Sequence, residues 1–115
     1  MKPETIFQTL SDRTRLRTLM LLDEAPALCV CHVQALLELP QSTISRHLSL
    51  LRERALVIDT RKGTWIIYRL NEDLPAWVRE IIGIARREWA QTEEGRNLLK
   101  RARSIFDQDV CPVST

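Results

Sequence analysis

Apolar residues recur at helical spacing along most of this chain, and that period changes only once. Ile6, Phe7 and Leu10, behind Pro3 at a first-turn position, predict a short opening helix. Ser11 is placed to cap a second helix that turns Leu16, Leu19 and Met20 inward and ends at Glu24-Ala25-Pro26. A third helix begins near Cys29 or Cys31, buries Val33, Leu36 and Leu37, and stops at Pro40. The fourth runs from about Gln41 to Arg54, with Ile44, Leu48 and Leu51 on one stripe and Ser42, Thr43, Ser45, Arg46, Ser49 and Arg52 opposite. Then the period changes. Val57 to Arg61 and Trp65 to Leu70 read as two strands of a hairpin around Lys62-Gly63. Asn71 to Pro75 opens a fifth helix with Leu74, Trp77, Val78, Ile81, Ile82, Ala85 and Trp89 on one stripe. Thr92 caps a sixth with Leu98, Leu99, Ala102, Ile105 and Phe106 inward.

The predicted fold is therefore mainly α with a small β-hairpin, in the order ααα-α-ββ-αα. Two helices joined by a turn and followed by a hairpin form a winged helix-turn-helix. With 115 residues, 44% hydrophobic and 28% charged, the chain supports one core. We expect a DNA-binding and dimerisation domain over residues 1–108 and a short C-terminal tail over 109–115. The N-terminus lacks the apolar core of a secretory signal, and the longest apolar run, Leu19 to Leu22, is far short of a membrane span. The expectation is a cytoplasmic protein with no membrane partner, whose three cysteines are kept as thiols and form no disulfide framework.

A net charge of +2 excludes a bulk polycation, so any nucleic-acid surface depends on clustering. Such a cluster exists. Residues 41–69 hold Arg46, Arg52, Arg54, Arg61, Lys62 and Arg69 against only Glu53 and Asp59. Basic groups attract phosphate, and small hydroxyl and amide side chains reach base edges. Gln41, Ser42, Thr43, Ser45 and Arg46 occupy the first turns of the fourth helix, the end that enters a major groove. His47 and Arg52 follow on that helix, and Arg61 and Lys62 sit at the hairpin tip, within reach of phosphate. Charge alone is equally the mark of a solvated helix face; the order of elements favours duplex DNA as the partner. For His47 a packed structural role competes with a phosphate contact.

Cys29-Val30-Cys31 stands just before the helix-turn-helix. Thiolates select soft ions. By spacing alone the pair is a weak signal, because no second pair completes a tetrahedral site and Cys111 is distant in sequence. If both residues were helical, their side chains would diverge by roughly 200°. One ion bound to both sulfurs would then have to unwind the start of the third helix. His32 is a neighbouring fallback ligand.

Leu28-Cys29-Val30-Cys31 with Val33, Gln41-Ser42-Thr43-Ile44-Ser45-Arg46-His47-Leu48, Leu51-Arg52-Glu53 and Trp65-Ile66-Ile67-Tyr68-Arg69-Leu70 together resemble the ArsR/SmtB family of metalloregulatory repressors, across about Thr5 to Leu74. The likeness is strongest to the arsenic-responsive branch. The resemblance implies a homodimer on operator DNA that is released when As(III) or Sb(III) binds Cys29 and Cys31, with no other cofactor required. The third cysteine of many arsenic repressors is Gln34 here, so Cys111, solvent or a small thiol is left to complete the set. The family's capping Ser before the recognition helix is Pro40, which shifts the expected cap to Ser42, and its closing Gly is Ala55. Zinc-sensing relatives carry Asp and His ligands on the fifth helix, but Leu74 to Ala90 contains neither. Cadmium-, lead- or zinc-responsive and thiol-redox-responsive repressors of the same fold remain the alternatives. An enzyme is disfavoured, since there is no CxxC, no glycine-rich phosphate loop and no alternating strand–helix order. Trp77 and Trp89 belong to the apolar stripe expected to meet a second subunit, together with the first helix.

Overall fold

A computed structural model describes residues 1–108, so the tail expected over 109–115, and Cys111 with it, lies outside the described residues. The elements run α1 (Pro3–Leu10), α2 (Arg13–Glu24), β1 (Leu28–Cys29), α3 (Val30–Leu37), α4 (Gln41–Glu53), β2 (Val57–Lys62), β3 (Trp65–Leu70), α5 (Ala76–Trp89) and α6 (Glu93–Gln108). All six predicted helices and the hairpin are present. The sheet has a third strand that the periodicity did not predict. β1 pairs antiparallel with β3, Leu28 opposite Tyr68 and Cys29 opposite Ile67, giving the order β1-β3-β2.

The core forms where the apolar stripes of α2, α3, α4 and α5 meet. Leu19, Leu21, Val33, Ile44, Leu48 and Val78 are all fully buried there. α6 closes it by packing on α2, α3 and α5 with Leu98, Leu99 and Ala102. Phe106 is not inward as expected but exposed.

Two caps differ from the sequence expectation. Asp12, not Ser11, caps α2, its carboxylate accepting from the Arg15 N–H at 3.0 Å. Ser11 spends its hydroxyl on the Gln8 carbonyl at the end of α1 instead. α4 starts from Pro40 with no side-chain cap, so Ser42 lies inside the first turn. Proline serves because it holds the chain extended at φ −61°, ψ 150°, and its own missing N–H costs nothing there. Thr92 does cap α6, accepting from Gly95 N–H at 3.0 Å.

The recognition helix ends on a left-handed residue, Ala55, at φ 62°. The N–H groups of Leu56 and Ala55 donate to the carbonyls of Leu51 and Arg52, which is a Schellman closure with alanine in the glycine place. The turn is thus built as in a glycine-ended helix despite the substitution. The wing turns through Gly63-Thr64, between the Lys62–Trp65 pair, and Gly63 takes the left-handed φ of 64° that the tight turn requires.

Candidate metalloid site and nucleic-acid interface

On α4, the period that buries Ile44, Leu48 and Leu51 leaves Gln41, Ser42, Arg46, Ser49 and Arg52 exposed. Thr43 and Ser45 are half-buried, and the Gln41 amide donates to the Ser45 hydroxyl at 3.2 Å. Arg61 and Lys62 are exposed at the wing tip. Arg52 donates to Asp59 of β2 at 2.9 Å, so this base braces helix to wing. Arg54 turns away from the exposed face and donates to the Thr9 hydroxyl of α1. His47 also turns inward, to within 4.0 Å of Asp12, and its side chain is only 12% exposed. Burial holds its pKa below the usual 6.5, Arg15 and Arg46 push it the same way, and Asp12 opposes them. Of the two roles open to His47, its geometry is that of the packed one. Asp12 is lowered as well: burial alone would raise it, but the Arg15 N–H, His47 and the Arg15 guanidinium outweigh that effect.

The cysteine pair stands at a corner. Cys29 is the last residue of β1 and the N-cap of α3, extended at φ −88°, ψ 169°, while Cys31 lies in the first turn of the helix. The expected divergence of the two side chains is therefore absent, because only one of them is helical. Their Cα atoms are 5.4 Å apart and their sulfurs are joined as a disulfide, where the sequence led us to expect two thiols; the extended Cys29 is what brings the sulfurs into reach. The unwinding of α3 that two helical cysteines would have demanded is not needed. Cys29, Cys31 and His32 bring their donor atoms within 4.8 Å of one another. Reduced to thiolates, two sulfurs held at this corner fit a soft ion by the chemistry of the donors.

Beside this pair lies an open groove of about 380 Å³, lined by Val30, Gln34, Gln41, Thr64, Trp65 and Ile66 with the cysteines. It joins the cysteine pair to the first residue of α4 and to the wing. Sequence reading missed Trp65 and Gln41 as neighbours of the cysteines, because β1 brings the wing to them and a two-residue strand has no readable period. Gln34, which stands where a third cysteine was sought, lines the same groove.

Comparison with known proteins fixes the class. The description "Bacterial regulatory protein, arsR family" matches residues 12–59. The arsenic resistance transcriptional regulator ArsR2 of Pseudomonas putida is 37% identical over 112 residues, covering 95% of this chain and 97% of the relative. The arsenical resistance operon repressor of Escherichia coli K12 is 40% identical over 114 residues, 95% of each chain. Among solved structures, the AntR antimony-specific transcriptional repressor superposes with a TM-score of 0.62 at 28% identity, over 76% of this chain and 78% of that one. The chain belongs to the arsR family of bacterial regulatory proteins, with the winged helix-turn-helix fold. It is a transcriptional regulator and not an enzyme.

Proposed function

We propose that this protein is a cytoplasmic, homodimeric repressor that occupies operator DNA and leaves it when As(III) or Sb(III) binds the thiolates of Cys29 and Cys31. The observation that carries the reading is the convergence of the two sulfurs at the corner between β1 and α3. That corner is tied to the wing through the β1–β3 ladder, and its groove reaches the start of α4. A ligand held there acts on both DNA-reading parts at once. We therefore place the coupling in a shift of the α3 start against the wing. The names of the relatives, which concern arsenic and antimony, support the choice of ion.

On the DNA side, Gln41, Ser42, Thr43, Ser45 and Arg46 are assigned to base edges and Arg61 and Lys62 to phosphate. Arg52 has its ion pair with Asp59 to surrender before it can reach DNA, and His47 acts through packing.

Fluorescence-anisotropy titration of operator DNA tests the inducer site. Cys29→Ser and Cys31→Ser keep the shape but replace a soft donor with a hard one. Each variant is expected to bind operator like the wild type and to stay bound when arsenite is added. Release of both at the wild-type arsenite concentration places the inducer elsewhere. Cys111→Ser shows whether the C-terminal thiol completes the ligand set. Cadmium, lead and zinc arms test the other ions. The joined sulfurs also admit a redox reading, in which hydrogen peroxide oxidises the two thiols to a disulfide and, taking up their two protons, is reduced to two waters. Release by peroxide but not by arsenite favours that reading.

A further inference from the structure

We propose that His32 is a positioning residue of the thiol site and not one of its ligands, an inference that deepens the metalloid-binding reading above. The backbone N–H of Cys29 donates to His32 Nδ1 at 3.1 Å, and the Cys29 side chain accepts from the His32 backbone N–H. This is a reciprocal capping box in which Cys and His stand where Ser or Thr and Glu or Gln are usual. His32 is buried, only 6% exposed as a residue, so packing also restrains its ring.

The tautomer follows from the donor. A backbone N–H can only donate, so Nδ1 presents its lone pair to Cys29 and the ring proton sits on Nε2. An imidazole binds an ion through a lone pair. While the box is closed one lone pair is taken and the other nitrogen is protonated. Proximity within 4.8 Å therefore does not make His32 a third donor. What the ring does is hold Cys29 extended at the corner and its sulfur over the first turn of α3, where Cys31 lies. Once the bond between them is reduced, two thiolates so placed have only to move apart, with no unwinding of α3, to close on one ion.

The test uses full-length protein carrying His32→Asn or His32→Ala. Asparagine keeps an acceptor, Oδ1, at the place of Nδ1 and has no counterpart of Nε2; alanine removes both. Phenylarsine oxide, which bridges two thiols, is titrated without DNA, and arsenite is titrated on the operator complex. Groups that orient ligands typically change affinity by roughly 10–100-fold, so His32→Ala is expected to need that much more of either arsenical, and His32→Asn to stay within about twofold of wild type. Far-UV circular dichroism and operator affinity without arsenical check that each variant is folded. Loss of capture in His32→Asn overturns the proposal, since it makes the imidazole itself a ligand. Wild-type capture by His32→Ala overturns it too. Should the alanine variant not fold, the asparagine variant decides alone. If wild-type protein captures phenylarsine oxide but arsenite leaves the operator complex intact, the inducer reading fails while the role of His32 stands.

Discussion

Ala55 takes the left-handed conformation that a β-carbon disfavours by roughly 1–2 kcal/mol. Its neighbours hold it there: the Schellman bonds fix its N–H, and the Asn71 amide donates to its carbonyl at 3.0 Å. Ala55→Gly relieves the strain but makes the unfolded chain more flexible, so a net gain of about 0.5–1 kcal/mol is expected in urea unfolding. An unchanged or lowered midpoint shows that the strain is absorbed elsewhere. His47 gives a pH-dependent counterpart. Its folded pKa lies below the unfolded 6.5, so the unfolded chain takes up a proton first as the pH falls. The stability this group contributes is complete above that value and is lost as the pH drops toward the folded one. The melting temperature of the wild type should fall more steeply between about pH 7 and pH 5 than that of His47→Gln, provided the glutamine packs in its place. Equal slopes would show that His47 has the same pKa folded and unfolded. Neither residue's role could be settled in the sequence. Ala55 was visible as a departure but not the turn it adopts, and His47 had two open roles until Asp12 was found beside it.

At the scale of elements, the recognition helix and wing form one surface because Arg52 and Asp59 join α4 to β2. Being half exposed, that pair contributes orientation more than stability. The exposed bases Arg46, Arg61 and Lys62 lie on the same two elements. Arg46→Ala is expected to cost about 1–3 kcal/mol on the operator and to relax discrimination at one position. Lys62→Ala should weaken all sequences alike and reduce the salt slope by about one. Anisotropy titrations at several salt concentrations separate the two, and unchanged binding in both variants removes this face from the DNA. The helices were readable because Ile44, Leu48 and Leu51 and their equivalents repeat over several turns. The hairpin was readable because the helical period breaks into two short runs rich in β-branched and aromatic residues, Val57 to Arg61 and Trp65 to Leu70, on either side of a glycine turn. β1 was not readable. Two residues cannot show a period, and Leu28 and Cys29 are extended only because Tyr68 and Ile67, far along the chain, pair with them. With β1 hidden, Cys29 was grouped with the helix, and the convergence of the thiols could not be foreseen.

At the scale of the whole molecule, the question is which apolar surface a second subunit would cover. Of the stripe on α5 expected to serve, Val78 and Ile82 are 0% exposed within the single chain and belong to its own core, while Trp77, Ile81 and Ala85 stay half-buried. Trp89 is engaged as well, with the Arg17 guanidinium 5.2 Å from its ring centre. An apolar helical stripe does not say which of its edges faces inward; only the packing of α2 against α5 decides that. The most open large apolar side chains among the described residues are Ile84 on α5 and Phe7 on α1, 58% and 57% exposed, ahead of Met1 and Phe106. If the protein is the homodimer proposed above, these two side chains are the ones we propose a second subunit covers. Phe7→Ser combined with Ile84→Ser should leave the fold intact, because neither residue contributes to the core, and should convert a dimer to a monomer in sedimentation at micromolar concentration. Operator affinity should fall with it, since a two-fold protein reads two half-sites and a monomer only one. Val78→Ser is the contrast. It places a hydroxyl in the core and should lower stability by roughly 2 kcal/mol or more before it affects assembly. A double variant that still sediments as a dimer and binds operator unchanged would move the subunit contact away from Phe7 and Ile84. A wild type that is monomeric even on DNA would remove the two-fold mode of binding altogether.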